Sequence, residues 1–474
     1  MNNSAHVKFL EMLGWEGEEL QEFLPEWLRA AKLLGLSDRD VAFAVEKWIP
    51  AYWDLSLAGV RKYIAACIRG VVEIAKGADY QARGDKLIYV NMPSVPVLLG
   101  ANRIASGGHV HAFYTSYLMI SVLTAFFNKN SGKNMDFDEE PGCFRSPCAN
   151  CALNRLRLRM CSEGRLPRPN VAWSWGLRCS ESPKTDEMVG CIMHGADVNV
   201  TVTIPHDAPS GVVEADYAKK VDLLTAEMRL AQEKVSEATG WPVSDDDVRR
   251  AMDIYLEYMD RIQTLTDLVM TADSLPISGG ELTLFGLCVE LCLSIDVNYI
   301  IDALDTIIAE VRERIEKGIG LAPRNAPRLA CHFNPLATPW LDKAFRDSGV
   351  CLVQGKLFPF ADKFRGFVAE ESDIYRALAR ICLSIPSTMN MLDEARINAE
   401  MLTRYPVDGA LYGFYSSDSW VGALQKTMVQ VIEAETGVPH FYIEGSLWAS
   451  EDTDYDSRRA IVRSICNYLK ISNI

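Results

Sequence analysis

The chain reads Arg328-Leu-Ala-Cys-His-Phe333, then Trp340-Leu-Asp-Lys-Ala-Phe-Arg346, then Val350-Cys-Leu-Val353. The first and third segments are short apolar runs typical of buried strands, and the middle segment has the pattern of a helix. A strand, a helix and a second strand at this pitch predict a right-handed crossover within a parallel sheet. The stretch therefore indicates a doubly wound α/β domain.

Short apolar strands alternate with helices on both sides of that stretch as well. Before it, the sequence predicts strands at Leu87–Val90 and Asn199–Ile204, with the helix Ser116–Phe127 and cysteine-rich loops between them. After it come a strand, a helix, a strand and a closing helix, predicted at Gly409–Tyr415, Val421–Thr436, Phe441–Ile443 and Ser457–Leu469. We therefore predict two doubly wound parallel-sheet domains of related design.

The remaining sequence is mostly helical. Ser37-Asp-Arg-Asp40 and Ser244-Asp-Asp-Asp247 each place a polar cap at the start of a helix. The apolar stretch Phe285–Ile301 is interrupted by polar residues, is short for a membrane span and reads better as a buried helix. The predicted units are an N-terminal helical cap, a first α/β domain with cysteine-rich loops, a helical connecting segment and a second α/β domain, over residues 1–82, 83–214, 215–322 and 323–474.

Composition limits the class of protein. A chain of 474 residues suggests roughly two to four domains, and 49% hydrophobic residues can bury large cores. The net charge of −15 argues against a nucleic-acid partner or an anionic membrane, because both require a basic face. Residues 1–15 carry no secretory signal, so thirteen cysteines indicate a reducing, cytoplasmic compartment.

Six of the thirteen cysteines lie between Cys143 and Cys191. Cys148 and Cys151, with Cys143 and Cys161 nearby, offer four thiolates, but the irregular spacing differs from the paired ligands of a structural zinc site. A thioredoxin-like redox pair at Cys148 and Cys151 would need a strand directly before it, and Gly142–Pro147 does not read as one. Zinc and disulfide exchange are therefore the weaker interpretations of this cluster.

Other common catalytic motifs are missing from the sequence. It contains no Gly-rich phosphate loop of either common type and no Gly-x-Ser-x-Gly elbow. His206 follows the strand-like Ile204-Pro205, and a lone histidine there is more often a hydrogen-bonded loop residue than a catalytic base.

Five stretches resemble the 2-hydroxyacyl-CoA dehydratase and benzoyl-CoA reductase family, and in particular its 2-hydroxyglutaryl-CoA dehydratase D-component. In the first, Cys151, Glu163-Gly-Arg-Leu-Pro-Arg-Pro-Asn170 and Cys179 resemble the family's first two cluster cysteines and the segment between them. The others follow in the family's order, within Val202–His206, Glu237–Glu281, Pro327–Pro335 and Gly437–Arg459. Together they span about residues 85–474.

The resemblance implies a subunit of a heteromeric, oxygen-sensitive enzyme with two flavodoxin-like or Rossmann-like domains. In that family a separate ATP-hydrolysing activator injects one electron, which reaches a [4Fe-4S] cluster held by three cysteines and then an acyl-CoA. In the dehydratases, which are lyases, a ketyl radical expels the 2-hydroxyl group; in the reductases an aromatic ring is reduced. The resemblance thus implies an acyl-CoA substrate, an activator and a homologous second subunit, and we favour dehydration.

The cluster ligands that the resemblance implies are Cys151 and Cys179. The family's third cysteine follows an Asp-Gly pair and a strand, but the corresponding loop here, residues 416–420, has no cysteine and places Ser417 and Asp418 at that position. Three outcomes stay open. Asp418 replaces the thiolate; a thiol of the enriched region completes the site; or the subunit has lost its cluster and frames a partner's active site. The thiols in question are Cys143, Cys148, Cys161 and Cys191.

The acyl-CoA should lie in a cleft at the carboxyl ends of the strands, between the two domains. Its phosphates need basic side chains or free helix amides, and four such side chains surround the cysteine loops: Arg165, Arg168, Arg178 and Lys184. Two rival hypotheses are a scaffold subunit without catalysis and a cluster protein that reduces a small molecule other than a CoA thioester.

Overall fold

The computed structural model describes most of the chain. The described residues are 3–91, 96–129, 152–176, 182–192, 195–205, 214–287, 291–331, 339–354, 361–385, 391–405, 407–413, 419–443 and 455–472.

Two four-stranded sheets, both entirely parallel, form the described β-structure. The first has the order β2-β1-β3-β4, with β1 Lys86–Asn91, β2 Val110–Phe113, β3 Val171–Trp175 and β4 Val198–Val202. The second has the order β6-β5-β7-β8, with β5 Arg328–Cys331, β6 Cys351–Gln354, β7 Gly409–Gly413 and β8 His440–Ile443. The same strand order occurs in both sheets, and the predicted fold class is confirmed.

Strands β2 and β3 were not predicted, and β3 lies where the sequence indicated cysteine-rich loops. All five residues of β3 are buried, including Trp173 and Trp175. Because both faces of a parallel sheet are covered, β3 shows no alternation of apolar and polar residues that would mark it as a strand. The feature that indicates a strand is the pair Trp173 and Trp175. Residues two apart in a strand lie on the same face of the sheet, and bulky aromatic residues are common there.

Helices surround both sheets. The N-terminal region contains α1 Ser4–Met12, α2 Gly17–Leu34, α3 Asp38–Phe43, α4 Ile49–Tyr52, α5 Ala58–Ala75 and α6 Gly77–Ala82. The helices that come between the strands of the first sheet in the chain are α7 Val97–Ala105, α8 Thr115–Phe127, α9 Ala152–Ser162 and α10 Ser182–Glu187. π-Helical turns occur at Ala44–Trp48 and Met188–Ile192.

The other helices belong to the middle of the chain and to the region that contains the second sheet. The middle contains α11 Glu214–Thr239, α12 Asp245–Thr271, α13 Gly279–Leu287, α14 Leu291–Ser294 and α15 Val297–Glu316. The second sheet is accompanied by α16 Pro339–Asp347, α17 Ala361–Glu370, α18 Ile374–Cys382, α19 Met391–Arg404, α20 Ser419–Thr436 and α21 Tyr455–Ser472. Within the described helices, none combines the length and apolar character needed to cross a lipid bilayer.

Both predicted helix caps are confirmed. Ser37 caps α3 and Ser244 caps α12, and in each case the acid three residues later accepts the backbone N–H of the serine, at 2.8 Å and 2.9 Å. The single buried helix expected over Phe285–Ile301 is wrong, because α13 ends at Leu287 and α15 begins only at Val297. Asp296, one of the interrupting polar residues, accepts the N–H of Asn298 at 3.0 Å and so caps α15.

The N-terminal helices pack into the main hydrophobic core. Helix α5 lies against α15 so closely that a Cβ atom on Gly59 would be 2.5 Å from the Cβ of Ile307. The carboxylate of Glu310 on α15 accepts the N–H groups of Ala58 and Gly59 at 2.7 and 2.9 Å, and thus caps α5 from another helix. The unit boundaries given above stay a prediction.

Candidate functional site

The strand order identifies the place in each sheet where a ligand crevice is expected. From the first strand of each sheet the chain moves to one neighbour and then to the opposite side, so the switch points lie between β1 and β3 and between β5 and β7. In the sequence, Cys179 comes four residues after the end of β3, and Ser417 and Asp418 come shortly after the end of β7. Cys179, Ser417 and Asp418 therefore follow switch-point strands, whereas Cys151 comes after β2 and α8 in the chain.

The predicted ligands themselves lie outside the described residues, and their roles stay predictions. This applies to Cys143, Cys148, Cys151, Cys179, Ser417 and Asp418, and equally to His206 and Arg178. Helix α9 begins at Ala152, the residue after Cys151. Within the described residues, no group of three or more His, Cys, Asp and Glu side chains is arranged to hold a metal ion.

Cys161 is the thiol of the enriched region whose side chain is described. It lies near the far end of α9, about 14 Å along the helix from Ala152 at a rise of ~1.5 Å per residue. Its Sγ would be 3.0 Å from a Cβ placed on Gly195. Burial raises the pKa of Cys161, which the nearby Arg157 only partly opposes. Distance and protonation both weigh against Cys161 as a ligand to the same cluster as Cys151.

A cavity of about 290 Å³ lies beside Cys161, between β1, the start of α8, the far half of α9 and the segment that follows α9. Apolar side chains form most of its wall, and the polar groups are two hydroxyl residues, a tyrosine, a thiol and two arginines. No acidic side chain lines the cavity among the described residues. The lining residues are Tyr89, Val90, Thr115, Ser116, Arg157, Met160, Cys161, Gly164, Leu166, Pro167, Arg168, Pro169, Ala172, Val189 and Gly195.

The segment Glu163–Asn170, which carried part of the resemblance, forms one wall of this cavity. Asn170 anchors it to β1, because its Oδ1 accepts the N–H of Leu87 at 3.0 Å and its own N–H donates to the Leu87 carbonyl at 3.0 Å. Gln81 on α6 donates to the carbonyl of Arg168 at 2.6 Å. The segment is therefore held to α6 through Arg168 and to β1 through Asn170.

The hydroxyl groups at the start of α8 are buried. Thr115 and Ser116 are 6% and 5% exposed, and both line the cavity. Helix α8 has no side-chain cap from Tyr114. Neither Thr115 nor Ser116 was among the sequence-predicted site residues. The signal was two small polar residues placed directly after a strand and ahead of a long apolar helix.

The basic residues near the cavity are already paired with protein groups. Arg157 forms an ion pair with Asp186, and both side chains are mostly buried. Arg168 pairs with Asp197 at 3.2 Å and donates to the carbonyl of Ala196 at 2.7 Å. Of the other residues proposed for CoA phosphates, Arg165 pairs with Glu163, and Lys184 is exposed on α10.

Comparison with known families gives a match over the second sheet and the helical middle of the chain. Residues 175–460 match the family model described as 2-hydroxyglutaryl-CoA dehydratase, D-component. The matched region covers more than half of the chain and runs from the end of β3 into α21. No curated protein matches the chain. The stretch from Cys151 to Ser174 lies outside the matched region, so its resemblance depends on the residues quoted above.

Proposed function

The chain belongs to the family of the 2-hydroxyglutaryl-CoA dehydratase D-component, and from this premise we propose that it is a subunit of an oxygen-sensitive iron–sulfur enzyme that dehydrates a 2-hydroxyacyl-CoA by one-electron chemistry. The main support for the proposal is the family match over residues 175–460. Cys151 and the segment Glu163–Asn170, which resemble the same family, precede the matched region in the sequence. The family description names a component, so this subunit works with others. A homologous second subunit and an ATP-dependent activator are part of the proposal.

We assign a [4Fe-4S] cluster to Cys151 and Cys179, with Cys143, Cys148, Cys191 or the Ser417–Asp418 position completing the set. When bound, the cluster would supply the single electron on which the reaction depends. The other described thiols support this choice because they are buried in different parts of the hydrophobic cores. They are Cys67, Cys331, Cys351, Cys382 and Cys466, and burial raises the pKa of both Cys351 and Cys466 to about 11.

The place of Cys151 in the sequence supports it as a thiolate. A thiol directly ahead of a helix lies at the positive end of the helix dipole, which lowers its pKa. Cys151 is followed in the sequence by Ala152, the first described residue of α9, and we infer that its thiol takes this position. Cys179 comes four residues after β3, a strand whose five residues are all buried.

A second candidate function is favoured by one observation. Residues 416–420 include no cysteine, so the sequence lacks the family's third thiolate at its usual place. A subunit that has lost its cluster would frame the active site of a homologous catalytic partner. Ring reduction of an aromatic acyl-CoA is an alternative within the same chemistry.

Anaerobic purification of the full chain, alone and with its partner subunit, tests the proposal. We expect about four irons per chain, lost in Cys151→Ser and in Cys179→Ser and retained in the control Cys161→Ser. Iron-free wild-type protein that still binds a cluster-bearing partner would reject the cluster assignment in favour of the framing role. Loss of iron in Cys161→Ser alone would reject the ligand assignment.

A further inference from the structure

Two tryptophans of the N-terminal helices donate to one carbonyl of α8. The indole Nε1 of Trp48 donates to the carbonyl oxygen of Ala125 at 2.9 Å, and the indole Nε1 of Trp53 donates to the same oxygen at 3.0 Å. Ala125 lies in the last turn of α8, where carbonyls lack an amide partner within the helix. The N–H of Lys129 donates to the Leu123 carbonyl instead, at 3.0 Å. The two indoles therefore supply donors that this helix end lacks.

The two tryptophans belong to different hydrophobic cores. Trp48 is 5% exposed and belongs to the core cluster of the second sheet, which also contains Cys331 of β5 and Trp340 of α16. Trp53 belongs to the main core and packs edge-on against Phe126 of α8, with ring centroids 5.4 Å apart. Trp48 thus ties the end of α8 to the second sheet, whereas Trp53 ties it to the main core.

The π-helical turn Ala44–Trp48 lies at the boundary between these two cores. Ala44 and Ile49 belong to the main core, but Trp48, which comes between them in the sequence, belongs to the second-sheet cluster. Tyr52 packs against both clusters, and α4 contacts α16. A π turn holds more residues than an α turn, so it changes the direction in which the following side chains point. The irregular turn accounts for a side chain that leaves the main core between two residues that stay in it.

The point at which α8 ends is held from the same side. Lys129, the last described residue before 130–151, forms an ion pair with Asp40 of α3 at 2.8 Å. Residues 130–151 include Cys143, Cys148 and Cys151. The cysteine-bearing segment thus continues from a residue whose position the N-terminal helices fix.

The second-sheet cluster also includes the strand that precedes the Ser417–Asp418 position. Strands β5 and β7 pair in parallel, with Cys331 opposite Leu411, and both of these residues belong to the cluster that contains Trp48. The carboxyl ends of parallel neighbours lie at the same edge of a sheet. In the sequence, Ser417 comes shortly after β7 ends at Gly413. Trp48 is therefore connected through one core to the strand that leads to that position.

From these contacts we propose that Trp48 is a positioning residue, which holds the start of the cysteine-bearing segment 130–151 at the second sheet so that its thiols reach the Ser417–Asp418 position. The inference rests on the proposed function, because it concerns how the two parts of that site are brought together. It also gives a role to the N-terminal helices, which precede the region matched by the family model.

Cross-linking of the full chain, purified anaerobically and freed of iron with a chelator, tests this placement. Asp418→Cys adds a thiol that a bismaleimide can join to a thiol of segment 130–151, and peptide mass spectrometry measures the yield. Trp48→Phe in this background keeps an aromatic ring but removes the N–H, and should lower the yield about fivefold, the factor expected for one lost hydrogen bond. The matched control Trp53→Phe removes the other donor to the same oxygen and should leave the yield unchanged.

Stability measured in parallel separates position from general loosening of the fold. Trp48→Phe and Trp53→Phe each remove one hydrogen bond to Ala125, so their urea midpoints should fall by similar amounts. Lys129→Met removes the ion pair with Asp40, leaves both tryptophans in place and should lower the cross-linking yield about twofold. It provides the deciding variant if Trp48→Phe does not fold, and an unchanged yield in it would then reject the placement.

Equal yields in Trp48→Phe and Trp53→Phe would overturn the positioning role. So would an Asp418→Cys chain with both tryptophans intact that forms no cross-link to the segment. Failure of the proposed function is distinguishable from these results. Iron-free wild-type protein whose Trp48→Phe variant still loses cross-links rejects the cluster and leaves the positioning role in place, whereas iron-bearing protein with equal cross-linking in both variants rejects the positioning role alone.

Discussion

The carboxylate of Glu281 accepts the backbone N–H of Asp54 at 2.7 Å, across 227 residues of sequence. Glu281 also accepts the N–H of Ser278 at 2.8 Å, and Ser278 in turn caps α13. The side chain of Asp54 binds Arg314 of α15 at 2.6 Å. This buried network joins the N-terminal helices, the helical middle and, through α13, strand β6. It belongs to Leu275–Glu281, one of the stretches in which the sequence resembles its family.

Replacement of Glu281 should therefore show how much its two acceptor oxygens contribute to the free energy of unfolding. Glu281→Ala leaves two buried N–H groups unpaired and should lower the free energy of unfolding by about 2–4 kcal/mol. Glu281→Gln keeps one acceptor oxygen but sets its NH2 group against the other N–H donor, so it should remain destabilising and cost less than Glu281→Ala. Urea midpoints at neutral pH measure both effects. Equal midpoints for the two variants would contradict the role of the acceptor.

Gly279 and Gly280 form a matched pair for a packing test. A Cβ on Gly279 would be 2.7 Å from the carbonyl carbon of Leu352, whereas a Cβ on Gly280 would meet only the Ser278 hydroxyl at 3.7 Å. Gly279→Ala forces α13 away from the backbone of β6 and should destabilise the protein by about 3 kcal/mol or more. Gly280→Ala should be neutral or slightly stabilising. Thermal unfolding of the two variants decides this, and similar losses would refute the close approach.

The second buried carboxylate of this region, Asp342 on α16, should make stability depend on pH. Burial raises its pKa from 3.8 to about 6; Arg346 opposes this rise, and the nearby Glu281 adds to it. An acid whose pKa is higher in the folded state binds more protons there than in the unfolded chain, so stability falls as pH rises through this window. The loss should be about 3 kcal/mol between about pH 4 and pH 6.

Asp342→Asn should remove that part of the pH dependence. The exposed Asp347 lies on the same helix, pairs with Lys343 and provides the control Asp347→Asn, which should retain the wild-type slope. Urea midpoints measured from about pH 4 to pH 7 give the comparison. Parallel curves for the wild type and Asp342→Asn would show that Asp342 does not titrate in this range.

Two buried tyrosines should respond oppositely to loss of the hydroxyl. The Tyr89 hydroxyl is buried without a hydrogen-bond partner among the described residues, so Tyr89→Phe should leave stability unchanged or raise it by about 1 kcal/mol. Tyr63 donates to the carbonyl of Phe285 at 2.9 Å, so Tyr63→Phe should lower stability by about 1 kcal/mol. A clear loss in Tyr89→Phe would mean that its hydroxyl has a partner.

The sequence by itself determined the parallel α/β class, the family and the two helix caps. Each of these depends on residues close together in the chain: a cap joins Ser244 to Asp247, and a buried strand is a run of apolar residues. It also supplied Cys151 and Cys179 as ligand candidates, which stay predictions.

Only the tertiary structure decided which distant residues meet. It placed the buried strand β3 among the cysteine-rich segments, brought Glu281 to Asp54, and joined the start of α8 with the far half of α9 around one cavity. Hydroxyls such as those of Thr115 and Ser116 look like ordinary helix residues in the sequence. Their burial beside the cavity arises from packing among β1, α8 and α9, and packing between distant elements leaves no local pattern in the chain.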